Sequence, residues 1–161
     1  MLECRRIEPG QGHTAGRQLL AEMYLRQTGR ALPQICTTPR GKPYFPEGDM
    51  HFSISHTKQH VFCVLSPTLV GVDAEELDRD IDLRLADKIL SAAERARYDR
   101  APDKRLALLR LWVLKEAAAK CSGEGLRGYP NHTDFSPEDP RVQIIDGCLV
   151  AVVESCTIVK E

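Results

Sequence analysis

Asp73 and Glu75 lie two residues apart in the run Val70-Gly71-Val72-Asp73-Ala74-Glu75. On a strand that spacing sends both carboxylates to one face and Val70 and Val72 to the other. Two adjacent acids raise each other's proton affinity unless a cation lies between them. Oxygen donors alone favour Mg²⁺ over zinc, and a carboxylate-held Mg²⁺ commonly takes substrate phosphates as further ligands. A polar strand end turned to solvent is the competing reading of this pair. Further along, Trp112, Glu116 and Lys120 are spaced by four, so on a helix they stack on one stripe. Glu116 is then a candidate third carboxylate and Lys120 a candidate phosphate contact. An amphipathic helix with a Glu116–Lys120 pair on its solvated side accounts for the same spacing.

Other residues add cations and turns. Arg40-Gly41-Lys42-Pro43 sets two basic side chains beside a turn, either a nucleotide contact or a solvated loop. Arg17 lies on a helical run and reads, by itself, as a solvated arginine. Ser55-His56 closes an alternating run, where His56 is better placed to donate to a phosphate oxygen than to form a nucleophilic pair with its own neighbour. His51, His56 and His60 need not converge around a turn, and no Cys-x-x-Cys spacing supports zinc. Gly123-x-Gly125 permits close backbone approach to a ligand, or simply ends a helix. No Walker-type phosphate loop or full dinucleotide fingerprint occurs.

Positioning these groups requires both helices and strands. Ala15, Leu19, Leu20, Met23 and Tyr24 have helical spacing, with Thr14 as expected N-cap and Gly29 as stop. Leu32 to Thr38 is expected to be a strand. Met50 to Ser55 and His60 to Leu65 read as a hairpin, and Leu69 to Glu75 as a third strand completing an antiparallel meander. Ile81 to Ile89 is expected to be helical. Ser91-Ala92-Ala93-Glu94 has the form of a capping box opening a helix through Tyr98. Lys104 to Cys121 reads as one long helix. Val142 to Ile145 and Cys148 to Val153 flank Asp146-Gly147, a hairpin signal. If the chain has two lobes, the boundary falls near Ser66 to Leu69.

The chain has 161 residues, 42% hydrophobic and 28% charged, with a formal net charge of −1. That composition describes one globular domain or two small lobes able to bury a core. The near-neutral charge gives no bulk electrostatic grip on nucleic acid or an anionic membrane. No run approaches the ~20 apolar residues of a membrane span, and the first residues lack a signal-peptide layout. Cys4, Cys36, Cys63, Cys121, Cys148 and Cys156 are read as mostly buried, reduced thiols of a cytoplasmic protein. The sequon Asn131-His132-Thr133 then carries no information.

Gly41-Lys42-Pro43, Phe52-Ser53-Ile54-Ser55-His56-Thr57, Val70 to Glu75 and the stretch WVLKEAAAKCSGEGL from Trp112 to Leu126 follow one another in that order. The pattern resembles the Sfp-type 4′-phosphopantetheinyl transferases over roughly Arg17 to Phe135. The resemblance implies an α+β fold of two pseudo-symmetric α/β lobes with antiparallel sheets and an abbreviated first lobe. Residues 1–66 would form the N-terminal lobe at the nucleotide end of coenzyme A. Residues 67–161 would form the C-terminal lobe with the acids and the long helix. The implied activity moves the phosphopantetheine arm of coenzyme A to a serine of an acyl or peptidyl carrier protein, releasing adenosine 3′,5′-bisphosphate. Asp73, Glu75 and Glu116 would match the Mg²⁺ ligands, and Glu116 would activate the serine, directly or through water. Lys120 would stabilise the diphosphate. Ser55 and His56 would contact phosphates, Arg40, Gly41 and Lys42 the adenine end, and Arg17 the 3′-phosphate.

Glu94 resembles a family glutamate near the metal, with capping as the alternative. Ser53 stands where the family often has Asn, and Ala74 cannot ligate. The resemblance further implies a monomer with internal pseudo-symmetry, a homo-oligomer staying open because the first lobe is short. Two other functions compete: a Mg²⁺-dependent phosphohydrolase of a nucleotide diphosphate, and a silent binder of coenzyme A or a carrier protein.

Overall fold

The computed structural model describes residues 1–48, 50–125 and 133–154. Its first half contains β1 (Leu2–Arg6), α1 (Gly12–Thr28), the short strands β2 (Cys36–Thr37) and β3 (Pro43–Tyr44), β4 (His51–His56) and β5 (His60–Ser66). Helix α1 follows from its apolar stripe, since Ala15, Leu19, Leu20, Met23 and Tyr24 are all buried against β4 and β5. It starts at Gly12, ahead of the expected Thr14 cap, and Gln11 precedes it without a side-chain cap. Gly29 ends it in the left-handed region at φ 70°, its N–H bonded to the Leu25 carbonyl. Only Cys36–Thr37 of the expected strand at 32–38 pairs, because Pro33 interrupts the run. The first sheet has the order β1-β5-β4.

The second half contains β6 (Val70–Glu76), a 3-10 turn at Leu83–Leu85, α2 (Ala86–Ile89), α3 (Ala92–Tyr98), α4 (Lys104–Ser122), β7 (Val142–Ile145) and β8 (Cys148–Glu154). The expected single helix at 81–89 is thus a 3-10 turn running into one α-turn. The capping box is present, with Ser91 Oγ accepting from Glu94 N and the Glu94 carboxylate accepting from Ser91 N. Asp146 and Gly147 both take positive φ in the β7–β8 turn. The sheet order is β6-β8-β7, and this sheet, the β1-β5-β4 sheet and the small β2-β3 pair are all antiparallel.

The expected meander is therefore corrected. Strand β6 does not extend the β4–β5 hairpin. The free edge of β5 is taken by β1, and β6 pairs with β8 instead. The other edge of β6 faces β4, whose side chains replace a strand: Val72 N donates to Ser53 Oγ at 3.1 Å and Ala74 N to Ser55 Oγ at 3.2 Å. Behind this seam Phe62 and Val64 of β5 bury with Val70, Val72 and Ala74 of β6 and Val150 of β8.

The opposite face of β6 carries Gly71, Asp73 and Glu75, and α4 lies on it. A Cβ on Gly71 would stand 2.0 Å from the Ala117 carbonyl oxygen and 2.5 Å from Cys121 N. Glycine there lets the helix backbone rest on the strand, which brings Glu116 and Lys120 beside Asp73. Among the described cysteines, Cys63, Cys121 and Cys148 are buried and Cys4 and Cys36 half-buried. Cys156, Leu126 and the Asn131-His132 part of the sequon lie outside the described residues. No described helix is long and apolar enough to cross a membrane.

Candidate active site

Strand β6 and helix α4 converge on Asp73. Its side chain is buried, and Lys120 Nζ reaches Asp73 Oδ1 at 2.7 Å while also donating to Ser55 Oγ at 3.2 Å. Ser55 Oγ donates to the same Oδ1 at 3.1 Å. Asp73 Oδ2 is buried and has no hydrogen-bond partner among the described residues. Lys120 thus pairs with Asp73, not with Glu116 as the helical spacing had allowed. Glu75 is half-buried and salt-bridged to Arg79, and Trp112 lines the same cavity. Trp112 packs its apolar part on the core beneath α4.

The three acids share one electrostatic condition. Burial pushes the Asp73 carboxyl above its ordinary range, against the pull of Lys120. Burial does the same to Glu75, where Arg79 opposes it and the Asp73 charge adds to it. Glu116 is raised by burial first and by the neighbouring Asp73 charge second. As the side chains stand, no three described His, Cys, Asp or Glu residues are gathered closely enough to hold a metal ion. The donors nevertheless fit a hard divalent cation. They are oxygens only, they repel one another, and one of them, Asp73 Oδ2, is a buried acceptor with nothing to accept.

Two cavities meet here. A cavity of about 320 Å³ is lined by Ser55, His56, Asp73, Glu75, Arg79, Trp112, Glu116 and Lys120. A second, of about 450 Å³, is lined by His13, Arg17, Arg40, Gly41, Lys42, His56, Glu116 and Lys120 among others. Ile54, His56, Glu116 and Lys120 belong to both. Apart from Glu94, every residue singled out in the sequence for chemistry at the nucleotide or metal end therefore borders one or both of these adjoining cavities. His51 and His60 do not join them. His51 is held below the ordinary imidazole range by burial and by Lys42, and His60 Nδ1 lies 3.7 Å from Cys148 Sγ.

The local reasons are legible. The His56 ring lies over Gly12 at the start of α1, where a Cβ would stand 2.5 Å from the ring. Lys42 Nζ bonds the Cys121 carbonyl and its stem crosses Gly123, so it closes the C-terminal end of α4. Gly123 takes φ 76° there, its N–H bonded to the Ala119 carbonyl. That accounts for the glycine after the helix as a left-handed cap under a lysine stem. Arg40 is exposed and 3.9 Å from Glu124. Glu94 is fully buried and lines neither cavity: it accepts from Ser91 N and Phe135 N and pairs with Lys115 Nζ at 2.8 Å. Sequence reasoning missed His13 and Arg79. Each stands four residues from a residue it had singled out, His13 before Arg17 on α1 and Arg79 after Glu75.

Residues 69–148 match the model of the 4′-phosphopantetheinyl transferase superfamily. The chain is similar to 4′-phosphopantetheinyl transferase gsp of Aneurinibacillus migulanus, 31% identical over 124 residues covering 70% of this chain and 50% of the relative. It is 34% identical to 4′-phosphopantetheinyl transferase AcpT of Escherichia coli strain K12 over 123 residues, 73% of this chain and 63% of the relative. It is also 34% identical to 4′-phosphopantetheinyl transferase psf-1 of Bacillus pumilus over 122 residues, 71% of this chain and 49% of the relative. The chain thus spans about half, and at most under two thirds, of the length of these relatives. On the matched motifs and these relatives, the chain belongs to the 4′-phosphopantetheinyl transferase superfamily.

Proposed function

We propose that this chain transfers the 4′-phosphopantetheine arm of coenzyme A to a serine hydroxyl of an acyl or peptidyl carrier protein, with Mg²⁺ required and adenosine 3′,5′-bisphosphate released. The observation that carries the reading is the meeting of a cation-lined cavity with a carboxylate-lined one across Glu116 and Lys120. Such a layout suits a nucleotide whose phosphates must lie between basic side chains and a divalent ion. Arg17, Arg40, Gly41, Lys42 and His56 border the nucleotide end, and Asp73, Glu75 and Glu116 would hold the cation. When bound, Mg²⁺ supplies charge neutralisation and orientation for a diphosphate.

The chain's own groups account for the rest. Glu116 has its proton affinity raised by burial and by Asp73, which suits a carboxylate that accepts the serine proton as the Oγ–P bond forms. Lys120 keeps its ammonium on Asp73 and Ser55 at the mouth between the cavities, next to where the P–O bond to the nucleotide breaks. Positioning and charge, more than covalent help, lower the barrier of such a displacement.

In the same reading, residues 1–66 and 67–161 are two pseudo-symmetric lobes, the first abbreviated, within one monomer. The matching orders β1-β5-β4 and β6-β8-β7, each sheet covered by one long helix, support it. Cys4, Cys36, Cys63 and Cys148 as free thiols favour a reducing compartment such as the cytoplasm. The test is incubation with coenzyme A, Mg²⁺ and an apo carrier protein, read by intact mass. A carrier that gains the arm supports the proposal. Adenosine bisphosphate without modified carrier would replace transfer by hydrolysis, and no product at all would leave only binding.

A further inference from the structure

Resting on the Mg²⁺ site of the proposed function, we infer that Arg79 is a counter-ion built into that site, one that holds Glu75 until a divalent cation displaces it and so sets the metal affinity. Arg79 Nη1 is hydrogen-bonded and salt-bridged to Glu75 Oε1. Glu75 is the more enclosed partner, its side chain 23% exposed against 40% for Arg79, and Asp73 and Glu116 line the same cavity. Three carboxylates that repel one another are thus met by two cations of the chain, Lys120 on Asp73 and Arg79 on Glu75. A hard divalent cation takes carboxylate oxygens as ligands, so it competes with the guanidinium for Glu75. The carboxylate has a second oxygen, but a metal on it would set a dication against the guanidinium, and like charges at that range repel.

The backbone that carries Arg79 is fixed, and its side chain has room to leave. Arg105 Nη1, from the first turn of α4, donates to the Leu77 carbonyl at 2.9 Å and to the Arg79 carbonyl at 3.0 Å. Leu77 N donates to the Gly147 carbonyl at 2.9 Å. The segment is thereby tied to α4 and to the β7–β8 turn, so displacement is a motion of the guanidinium alone. Beyond the pair lies a third cavity of about 710 Å³, which Lys58, Glu76, Asp78 and Asp80 help to line. It shares His56, Glu75 and Arg79 with the carboxylate cavity. Asp78 and Asp80 offer the displaced guanidinium new acceptors, so its charge is not stranded. An exposed ion pair by itself shifts an equilibrium by about 1.5- to 5-fold. The enclosure of Glu75 and the acids beside it place this pair at the top of that range.

The experiment compares the wild-type chain with Arg79→Ala, Arg79→Gln and Lys58→Ala. Mn²⁺ binding to the nucleotide-free protein is followed by electron paramagnetic resonance, and denaturant unfolding is measured without metal and in saturating Mg²⁺. Lys58 is the control, a cation of the third cavity with no described ion pair. Both Arg79 variants are expected to bind Mn²⁺ about 5-fold tighter than wild type, and Lys58→Ala to stay within about twofold. Without metal, Arg79→Ala should unfold at lower denaturant than wild type. Mg²⁺ should close that gap, because an ion that Arg79 opposes must stabilise the variant more than the wild type. Unchanged or weaker Mn²⁺ binding in the Arg79 variants would overturn the inference. So would equal tightening in Lys58→Ala, which is a general field effect, or a stability gap that Mg²⁺ leaves open. Each of these results leaves the proposed function standing. A wild-type chain that binds no Mn²⁺ would remove the metal site itself, and the inference with it. Should Arg79→Ala not fold, Arg79→Gln, which keeps most of the side chain, carries both comparisons.

Discussion

Glu116 combines three properties: it borders both cavities, it is half-buried, and its proton affinity is raised by burial and by Asp73. A carboxamide keeps the shape and removes both the charge and the basic oxygen. Glu116→Gln is thus expected to reduce transfer by at least about 10²–10⁴-fold, with melting temperature unchanged or slightly higher. Near wild-type transfer by that variant would remove Glu116 from the site. Asp73 gives a pH-dependent counterpart. Its folded-state proton affinity is raised, so the folded protein holds this proton more tightly than the unfolded chain does. The stability it contributes is complete below the unfolded carboxylate range and is lost as pH rises through the raised folded value. In metal-free buffer, wild type should therefore lose stability relative to Asp73→Asn on going from about pH 4 to pH 7. Parallel melting curves across that range would contradict the shift. Added Mg²⁺ should stabilise wild type at pH 7 and leave Asp73→Asn almost unaffected.

At the level of elements, the site depends on how closely α4 lies on β6. Gly71 marks the contact, since a Cβ there would overlap the Ala117 carbonyl at 2.0 Å. Backbone cannot yield as a flexible side chain can. Gly71→Ala is expected to destabilise by about 3 kcal/mol, at the upper end of overpacking effects, in denaturant unfolding. Transfer should fall as well, because Glu116 and Lys120 ride on the displaced helix. A Gly71→Ala protein of wild-type stability would show that α4 does not rest on the strand. The same two elements show what could be read in advance. Alternation placed Asp73 and Glu75 on the face opposite Val70 and Val72, and the four-residue spacing placed Trp112, Glu116 and Lys120 on one stripe. Both periodicities are local, so the sequence carries them openly. The partner of β6 is not local. Val70 follows the β4–β5 hairpin after one short turn, which suggests a meander. The pairing with β8 is decided some eighty residues later (Asp73 faces Ala151), once β1 has occupied the edge of β5. The pairing of Lys120 with Asp73 instead of Glu116 escaped for the same reason. An i,i+4 neighbour on a helix is visible in sequence, whereas a strand carboxylate brought against it by packing is not.

Across the whole molecule, the two sheets are joined by a seam that is apolar on one side and hydroxylic on the other. Phe62 and Val64 from the first sheet bury against Val70, Val72 and Val150 from the second, while Ser53 and Ser55 bond the β6 backbone. The candidate site spans this seam, with Arg17, Lys42 and His56 on one side and Asp73, Glu75 and Glu116 on the other. If the seam is as tight as these contacts imply, the halves cannot unfold separately. Phe62 tests this because it is fully buried in the first sheet, whereas the single tryptophan, Trp112, reports on the second half. Phe62→Ala removes a buried aromatic and should destabilise by about 3–5 kcal/mol. Tryptophan fluorescence and far-ultraviolet circular dichroism should then shift together to lower denaturant, as one transition. A fluorescence midpoint that stays at the wild-type value while the dichroism moves would mean that the halves fold independently. In that case a site shared across the seam would open and close with their docking, and saturating coenzyme A should bring the two transitions back into coincidence by binding only the docked form.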